Sequence, residues 1–218
     1  MTKPVVREPL RRNSRANRAR ILATARRELG RNPDVTLEEL ARAAGVVRRT
    51  LFGHFPGREA LLEALAEEAS EALRSALSGA PLTAPEPAER AFAHLVFSMW
   101  PVGDRYRLLL SLAQRDLGAE RVAEVLAPAR EQATGILERG QRDGVFHTHL
   151  PAAVLSAGLE AMTVALLESV NTGDLEDDGT RTATASLIAA GVPQERAHAV
   201  VEAVAASRGV GTGSGDDD

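Results

Sequence analysis

The stretch TLEELARAAGVVRRTLFGHFPGREALL, residues 36–62, decides the fold of this chain. Thr36 and Glu39 have the spacing of a capping box, in which each residue's side chain accepts a hydrogen bond from the other's backbone amide. The short helix that follows must stop at Gly45, because glycine adopts a positive φ at little cost. A second short helix covers residues 47–54 and ends before a Pro-Gly pair. Two short helices joined by a glycine-containing turn form a helix-turn-helix unit.

The segments on both sides of this unit are also predicted to be helical. Apolar residues recur on one face over residues 14–29, whereas residues 1–13 lack that pattern and are expected to form a flexible basic arm. A long amphipathic helix is predicted over 58–78, and the proline-rich segment 79–87 ends it. Further helices are predicted near 86–100, 104–116, 119–142, 151–171, 181–190 and 193–207, followed by a tail over 209–218 that lacks core-forming residues.

The composition supports an all-α fold. Aromatic residues make up 3% of the chain, alanine is abundant, and there is no cysteine. These proportions favour helices over sheets and exclude disulfides and thiolate chemistry. We therefore predict a three-helix domain with the helix-turn-helix unit at 14–57, a connecting helix at 58–78 and a larger helical domain at 86–208.

The charge is divided unevenly along the chain. The formal net charge is −4, but residues 1–60 carry a net charge of +8 and residues 61–218 a net charge of −12. Such a division indicates that the basic end meets a polyanion such as nucleic acid, although a solvated basic tail without a partner would have the same composition.

The second short helix, residues 47–54, is the predicted reading element in a DNA major groove. Arg48 and Arg49 lie on its outward side, and arginine is the commonest bidentate partner of guanine O6 and N7. The same helical pair also occurs in proteins that bind no DNA. The adjacent arginines and the basic segment ahead of them are what favour DNA binding here.

Residues 36–46 and 50–62 resemble the TetR/AcrR family of transcriptional regulators. The family pattern Thr-Leu-Tyr-x-His-Phe-x-x-Lys-x-x-Leu appears with Phe52 in place of tyrosine and Arg58 in place of lysine. In the family, that tyrosine hydroxyl and that lysine ammonium commonly contact phosphates. Arg58 keeps the charge, whereas Phe52 cannot donate a hydrogen bond. The resemblance implies a DNA-binding surface made of Arg15, Thr36, Val47, Arg48, Arg49, Thr50, Phe52, His54 and Arg58.

Several of these residues have a specific predicted role. Family members often have serine or threonine at the position of Val47, where the hydroxyl caps the reading helix. Valine cannot cap a helix, so the helix is expected to be about 1 kcal/mol less stable than with such a cap. Arg48 is expected to contact a base edge and Arg49 a base or a phosphate. Thr50 is expected to contact a phosphate or a thymine methyl group, and His54 either lies near a phosphate or packs at the helix end.

The C-terminal helices are predicted to provide dimerisation and effector binding. Residues 151–170 are apolar nearly all round, which is typical of a helix buried on both sides. The resemblance implies that the 151–171 and 193–207 helices of two subunits form a four-helix bundle, with Val200, Val201 and Val204 as one stripe on the second helix. Small residues on the first helix allow close approach: Ala153, Ala157, Gly158 and Ala161. A two-fold dimer places its reading helices about 34–36 Å apart, so a palindromic operator is expected.

A pocket for a small-molecule effector is predicted in this second domain, lined by residues that are adaptable or aromatic. Each of these residues is also a candidate for ordinary core packing. Glu160 interrupts the most apolar helix and needs a cationic ligand, an internal salt bridge or solvent. The predicted lining residues are His94, Phe97, Trp100, Tyr106, Glu160 and Met162.

Together these patterns predict a ligand-responsive repressor that binds a palindromic operator in double-stranded DNA as a homodimer and is released by a small molecule. Enzymatic motifs are weak: there is no phosphate-binding glycine loop or nucleophile elbow, and His147 and His149 lack a third metal ligand. We expect no cofactor, no metal, no membrane segment and a cytoplasmic location. The alternatives are an effector-independent architectural DNA-binding protein and a small helical enzyme whose basic end binds an anionic substrate.

Overall fold

The computed structural model describes residues 7–78 and 86–211, with side chains at 12–78 and 86–208. Within these ranges the protein consists of nine α-helices and has no strand, which confirms the all-α fold. The helices are α1 (Arg7–Arg31), α2 (Leu37–Ala43), α3 (Arg48–His54), α4 (Arg58–Ser78), α5 (Ala88–Asp116), α6 (Ala119–Arg142), α7 (Ala152–Thr172), α8 (Thr180–Ala189) and α9 (Gln194–Gly211).

The chain ends differ from the prediction. Helix α1 begins at Arg7 and not at residue 14, so residues 7–13 of the expected arm are helical. Apolar periodicity detects only the buried part of a helix, whereas arginine-rich sequence has good intrinsic helix propensity and a proline is tolerated in the first turn. Residues 209–211 likewise continue α9 instead of starting a tail. The rest of the predicted arm, most of the connector 79–87, and residues 212–218 lie outside the described residues.

Helix α5 is also longer than predicted. The sequence predicts two helices separated at Pro101, but a single helix runs through that proline. Proline inside a helix removes one backbone donor and costs about 3 kcal/mol. Buried side chains on both sides of it hold the helix together, namely Phe97, Trp100, Tyr106 and Leu109. Tertiary packing therefore overrides the local signal.

The chain divides into two compact units. The first contains the residues up to Ala69 together with Leu108–Val125, and the second contains Ser70–Arg107 and the residues from Leu126 onward. The segment 108–125, predicted as part of the larger domain, thus belongs to the first unit. The core of the first unit includes Ile21, Leu22, Ala25, Leu29, Leu40, Leu51, Phe55, Leu61 and Leu65.

The second unit has its own apolar core, to which α5, α6, α7, α8 and α9 contribute. Helix α9 contributes Val201 and Val204 to this core, where both are fully buried, and Val200 packs against it half-buried. Val201 and Val204 are therefore not available for the predicted dimer stripe, while the dimer role of α9 itself stays a prediction. An apolar stripe on a terminal helix has the same sequence pattern whether it packs against its own chain or against a second copy of the chain.

Helix α7 is apolar but largely uncovered in the single chain. Of the helices in the described part of the chain, it alone has the length and composition of a membrane span, and only 22% of that window is buried. One weakly apolar helix is not a membrane signal, and this one carries Glu160, whose carboxylate pairs with Arg130 of α6.

Candidate nucleic-acid interface

The start of α2 is fixed by the predicted capping box. The Thr36 hydroxyl accepts from the Glu39 amide at 3.2 Å, and the Glu39 carboxylate accepts from the Thr36 amide at 2.8 Å. The hydrogen bonds that Thr36 donates, from its amide first and its hydroxyl second, lower the pKa of Glu39. Thr36 is exposed, and as the N-cap residue it defines where α2 begins.

The turn between α2 and α3 follows from Gly45, which has a φ of +64°. The Gly45 amide donates to the Arg42 carbonyl at 3.1 Å, and the Val46 amide donates to the Ala41 carbonyl at 3.0 Å. This pair of bonds is a Schellman motif, which requires one residue in the left-handed region. The chain leaves α2 in a defined direction, and α3 is held against α2 and α1.

Helix α3 has one buried side and one exposed side. Leu51 is completely buried, whereas Val47, Arg48 and Arg49 are exposed and Thr50 is half-buried. Val47 is 71% exposed and occupies the N-cap position without any side-chain hydrogen bond. The four consecutive residues predicted to face DNA therefore lie together along the first turn of α3.

Arg48 is held by two neighbours, which the sequence did not predict. Its guanidinium forms an ion pair with Glu38 of α2 at 3.0 Å. The same guanidinium carbon lies 5.0 Å from the centre of the Phe52 ring, which is within the range of a cation–π contact. Phe52 thus supports the predicted base-reading arginine in the free protein, a role that does not need the missing hydroxyl.

Arg58 is occupied within the protein. Its guanidinium donates to the backbone carbonyls of Pro33 and Val35 and to the Asp116 carboxylate, the last at 3.2 Å. These bonds join the start of α4 to the α1–α2 loop and to the end of α5. The phosphate contact implied for Arg58 stays a prediction, and it requires some of these bonds to break.

Arg15 and His54, also predicted to contact DNA, lie on α1 and at the last residue of α3. Arg15 is exposed on α1, and the half-buried His54 ring is tilted against Phe55 with 6.2 Å between ring centres. Of the residues predicted to contact DNA, Val47, Arg48, Arg49, Thr50, Phe52 and His54 belong to α3 or its N-cap, whereas Thr36 caps α2. Their contact with DNA stays a prediction. Glu38 belongs with them, and sequence reasoning missed it because its partner lies ten residues away on another helix.

The residues predicted to line an effector pocket all lie in the second unit. Phe97, Trp100 and Tyr106 are buried, and Met162 packs against the core that contains Phe97. His94 Nε2 lies 3.2 Å from a Glu86 carboxylate oxygen. The aromatic side chains therefore take part in the packing of this unit, and the pocket lined by these residues stays a prediction.

Glu160 has an internal partner. Two guanidinium nitrogens of Arg130 donate to its two carboxylate oxygens at 2.6 and 2.9 Å. This bidentate pair satisfies the carboxylate without a cationic ligand and raises the pKa of Arg130. Among the described side chains, no group of three or more His, Cys, Asp or Glu residues is arranged to hold a metal ion.

A three-helix unit whose second short helix exposes adjacent arginines defines a helix-turn-helix DNA-binding protein. Residues 21–65 match the sequence model of the family described as "Bacterial regulatory proteins, tetR family". The chain therefore carries the N-terminal domain of the tetR family, and the resemblance drawn from its sequence is confirmed. No curated protein sequence matches the chain.

Solved structures share the fold across most of the chain. A tetR-family regulatory protein from Rhodococcus RHA1 aligns with a TM-score of 0.69 and 18% identity, over 81% of this chain and 98% of that chain. PfmR, a TetR-family transcriptional regulator from Thermus thermophilus, gives 0.65 and 19%, over 79% and 98%. RolR in complex with resorcinol gives 0.52 and 22%, over 87% and 95%. At these identities the likeness concerns the fold.

Proposed function

We propose that this protein is a ligand-responsive repressor that binds a palindromic operator as a homodimer in the cytoplasm. The observation that carries the proposal is the exposed first turn of α3, where Arg48 and Arg49 stand beside each other above a fully buried Leu51. A short helix anchored by one side and basic on the other has the form of a major-groove reading element.

DNA binding is tested with operators selected from random duplexes. Replacing Arg48 by alanine should cost about 1–3 kcal/mol on the selected operator and relax the preference at one base pair, while binding to random DNA changes little. Arg181→Ala provides a control, because Arg181 is also exposed but lies on α8. Equal losses on operator and random DNA would contradict the base-reading role of Arg48.

Support for a dimer comes from the uncovered side of α7. From Ala153 to Ala165 the residues exposed along this side are small or apolar, and Val154 is 52% exposed; the exposed Glu168 lies one turn farther along. Apolar surface of this kind on a helix of a soluble regulator marks an interaction site, and small side chains let two helix backbones approach closely. The exposed residues are Ala153, Val154, Ala157, Gly158, Ala161 and Ala165.

The dimer is tested by sedimentation of Ala161→Arg, which places two like charges near each other across a two-fold axis. We expect the variant to be monomeric and to bind the operator weakly. Ala119→Arg, at the exposed start of α6, is the control and should remain dimeric. A wild-type protein that stays a single subunit at every concentration, with and without DNA, would refute the dimer.

Release by an effector requires two dimer geometries, of which only one presents its α3 helices at the spacing of the groove. A ligand shifts that equilibrium only by its differential affinity, and near-complete switching needs about 10⁴-fold. Since a relative of similar fold, RolR, binds resorcinol, resorcinol is the first compound of a thermal-shift panel. A compound that stabilises the protein and lowers operator affinity would support the proposal.

The alternative is an effector-independent architectural DNA-binding protein. The dense aromatic packing of the second unit favours it, since Phe97, Trp100 and Tyr106 are each more than nine-tenths buried. In that case the panel gives no stabilisation, and the affinity for selected operators is close to that for random DNA. A large specificity ratio would exclude this alternative.

A further inference from the structure

The start of α4 and the end of α5 are joined in the first unit by a row of alternating charges. Arg58, the first residue of α4, donates from Nε to one carboxylate oxygen of Asp116, the last residue of α5, at 3.2 Å. The other oxygen of Asp116 accepts from Arg115 at 2.8 Å. The Arg115 guanidinium also lies 3.9 Å from the carboxylate of Asp34, in the α1–α2 loop. Asp116 is therefore shared by two arginines.

Asp116 occupies an unfavourable place for a carboxylate. The C-terminal end of a helix carries a partial negative charge, which favours basic side chains there and disfavours acidic ones. Helix α5 nevertheless ends with this acid. The hydrogen bond from Arg115, and after it the one from Arg58, lower the pKa of Asp116. The carboxylate is thus held as an anion against the guanidinium of Arg58.

The acceptors of Arg58 differ in what they supply. The carbonyls of Pro33 and Val35 are neutral and fix the position of the guanidinium, whereas the Asp116 carboxylate also compensates its charge. A carboxylate and a phosphate offer oxygen acceptors of the same kind to a guanidinium. Asp116 therefore occupies on Arg58 the place that a backbone phosphate needs in the proposed DNA complex.

The bond between Arg58 and Asp116 is weak enough to be exchanged. The two side chains are 32% and 21% exposed. An ion pair that is open to solvent changes an equilibrium constant by at most about five-fold. When Arg58 leaves, Asp116 still has Arg115 as a partner, so the carboxylate is not left without a counter-charge.

We propose that Asp116 is an autoinhibitory carboxylate, which holds Arg58 in the free protein and must release it before that guanidinium binds a DNA phosphate. This inference rests on the proposed DNA-binding function and adds an internal regulator to it. Phosphate contacts carry no sequence information, so the exchange lowers the affinity for every duplex and leaves the preferred operator unchanged. The restraint on DNA binding thus comes from the segment 108–125, outside the helix-turn-helix unit.

The test compares Asp116→Asn with Glu120→Gln in the full chain, on the selected operator and on random DNA. Each variant removes one negative charge from the segment 108–125, but Glu120 is exposed at the start of α6, apart from the three acceptors described for Arg58. Asparagine keeps the shape of aspartate, and its neutral hydrogen bond is about half as strong. Arg58→Gln, alone and combined with Asp116→Asn, completes a double-mutant cycle, and circular dichroism checks the helix content of every variant.

We expect Asp116→Asn to bind operator and random DNA more tightly by the same factor, up to about five-fold per subunit. Glu120→Gln should bind both duplexes like the wild type. In the Arg58→Gln background, Asp116→Asn should have no effect, because the cation that it restrains is gone.

Other results would overturn the inference in distinct ways. Equal gains for Asp116→Asn and Glu120→Gln, or a gain that persists without Arg58, would mean that the carboxylate acts only through net charge. A weaker affinity of Asp116→Asn for both duplexes would mean that Asp116 positions Arg58 for DNA. If Arg58→Gln does not fold, the comparison of the two single-charge variants still decides. All of these results leave the proposed function intact, whereas a wild-type protein that selects no operator overturns that function and the inference with it.

Discussion

Replacing Val47 by threonine adds a side-chain capping bond that the start of α3 lacks. Val47 is the N-cap residue of α3, with φ −73° and ψ 149°, and it makes no side-chain hydrogen bond. A threonine hydroxyl in that backbone conformation can accept from the amide of Arg49 or share the amide of Thr50, which already donates to the Val47 carbonyl at 2.9 Å. Valine and threonine have nearly the same shape, so the change adds an acceptor and little else.

The expected gain is about 1 kcal/mol, the typical value of an N-cap side chain. Little offsets it, since Val47 is 71% exposed and its replacement gives up almost no buried apolar surface. For a chain of this size that unfolds as one unit, such a gain raises Tm by about 2–4 °C. Urea unfolding without DNA should show a higher midpoint at an unchanged m-value.

Val47→Ala is the control, because it shortens the side chain without providing an acceptor. We expect it to unfold close to the wild type. If Val47→Thr is no more stable than the wild type and Val47→Ala, then the missing cap is not what limits the stability of α3, and the reasoning fails. Operator binding by the threonine variant is measured separately, since position 47 also lies on the predicted DNA surface.

Two further predictions concern the same domain. Arg58→Ala should lower the free energy of unfolding by about 2 kcal/mol, because it leaves the carbonyls of Pro33 and Val35 and the Asp116 carboxylate without this donor; urea unfolding without DNA measures the loss, and an unchanged stability would mean that these bonds are dispensable. The Thr36 hydrogen bonds lower the pKa of Glu39 from 4.5, so the capping box contributes stability above that pH and loses it as the pH falls through the lowered pKa. Thr36→Ala should weaken this acid-dependent loss, and urea titrations from neutral pH down to the acid range would show it; an identical pH profile would contradict the assignment.

The sequence predicted the local features of the domain well, since short-range bonds determine them. The Thr36–Glu39 box and the turn at Gly45 depend on residues within five positions of each other, and both are found as predicted. The bounds of α4 and α6 also agree with the prediction. Each is bounded by glycine or proline signals that act through the backbone alone.

Contacts between distant residues were not predictable in the same way. Nothing in the spacing of Glu38 and Arg48 indicates an ion pair, because the two residues lie on different helices whose packing brings them together. Arg58 matched a family position and was assigned to phosphate, yet its acceptors come from 23 to 58 residues away. The continuous α5 shows the same limit, since the packing that preserves it through Pro101 is tertiary.

The pairing of Arg48 with Glu38 affects how much binding free energy the protein loses on DNA with a wrong base. An arginine that faces a wrong base would normally lose its hydration without gaining a partner, and that orphaned charge is what makes mismatches expensive. Here the Arg48 guanidinium can return to the Glu38 carboxylate, with which it forms an ion pair in the free protein. In the proposed complex this return limits the penalty for a wrong base, so the discrimination that Arg48 provides should fall toward the lower end of the about 1–3 kcal/mol expected for Arg48→Ala.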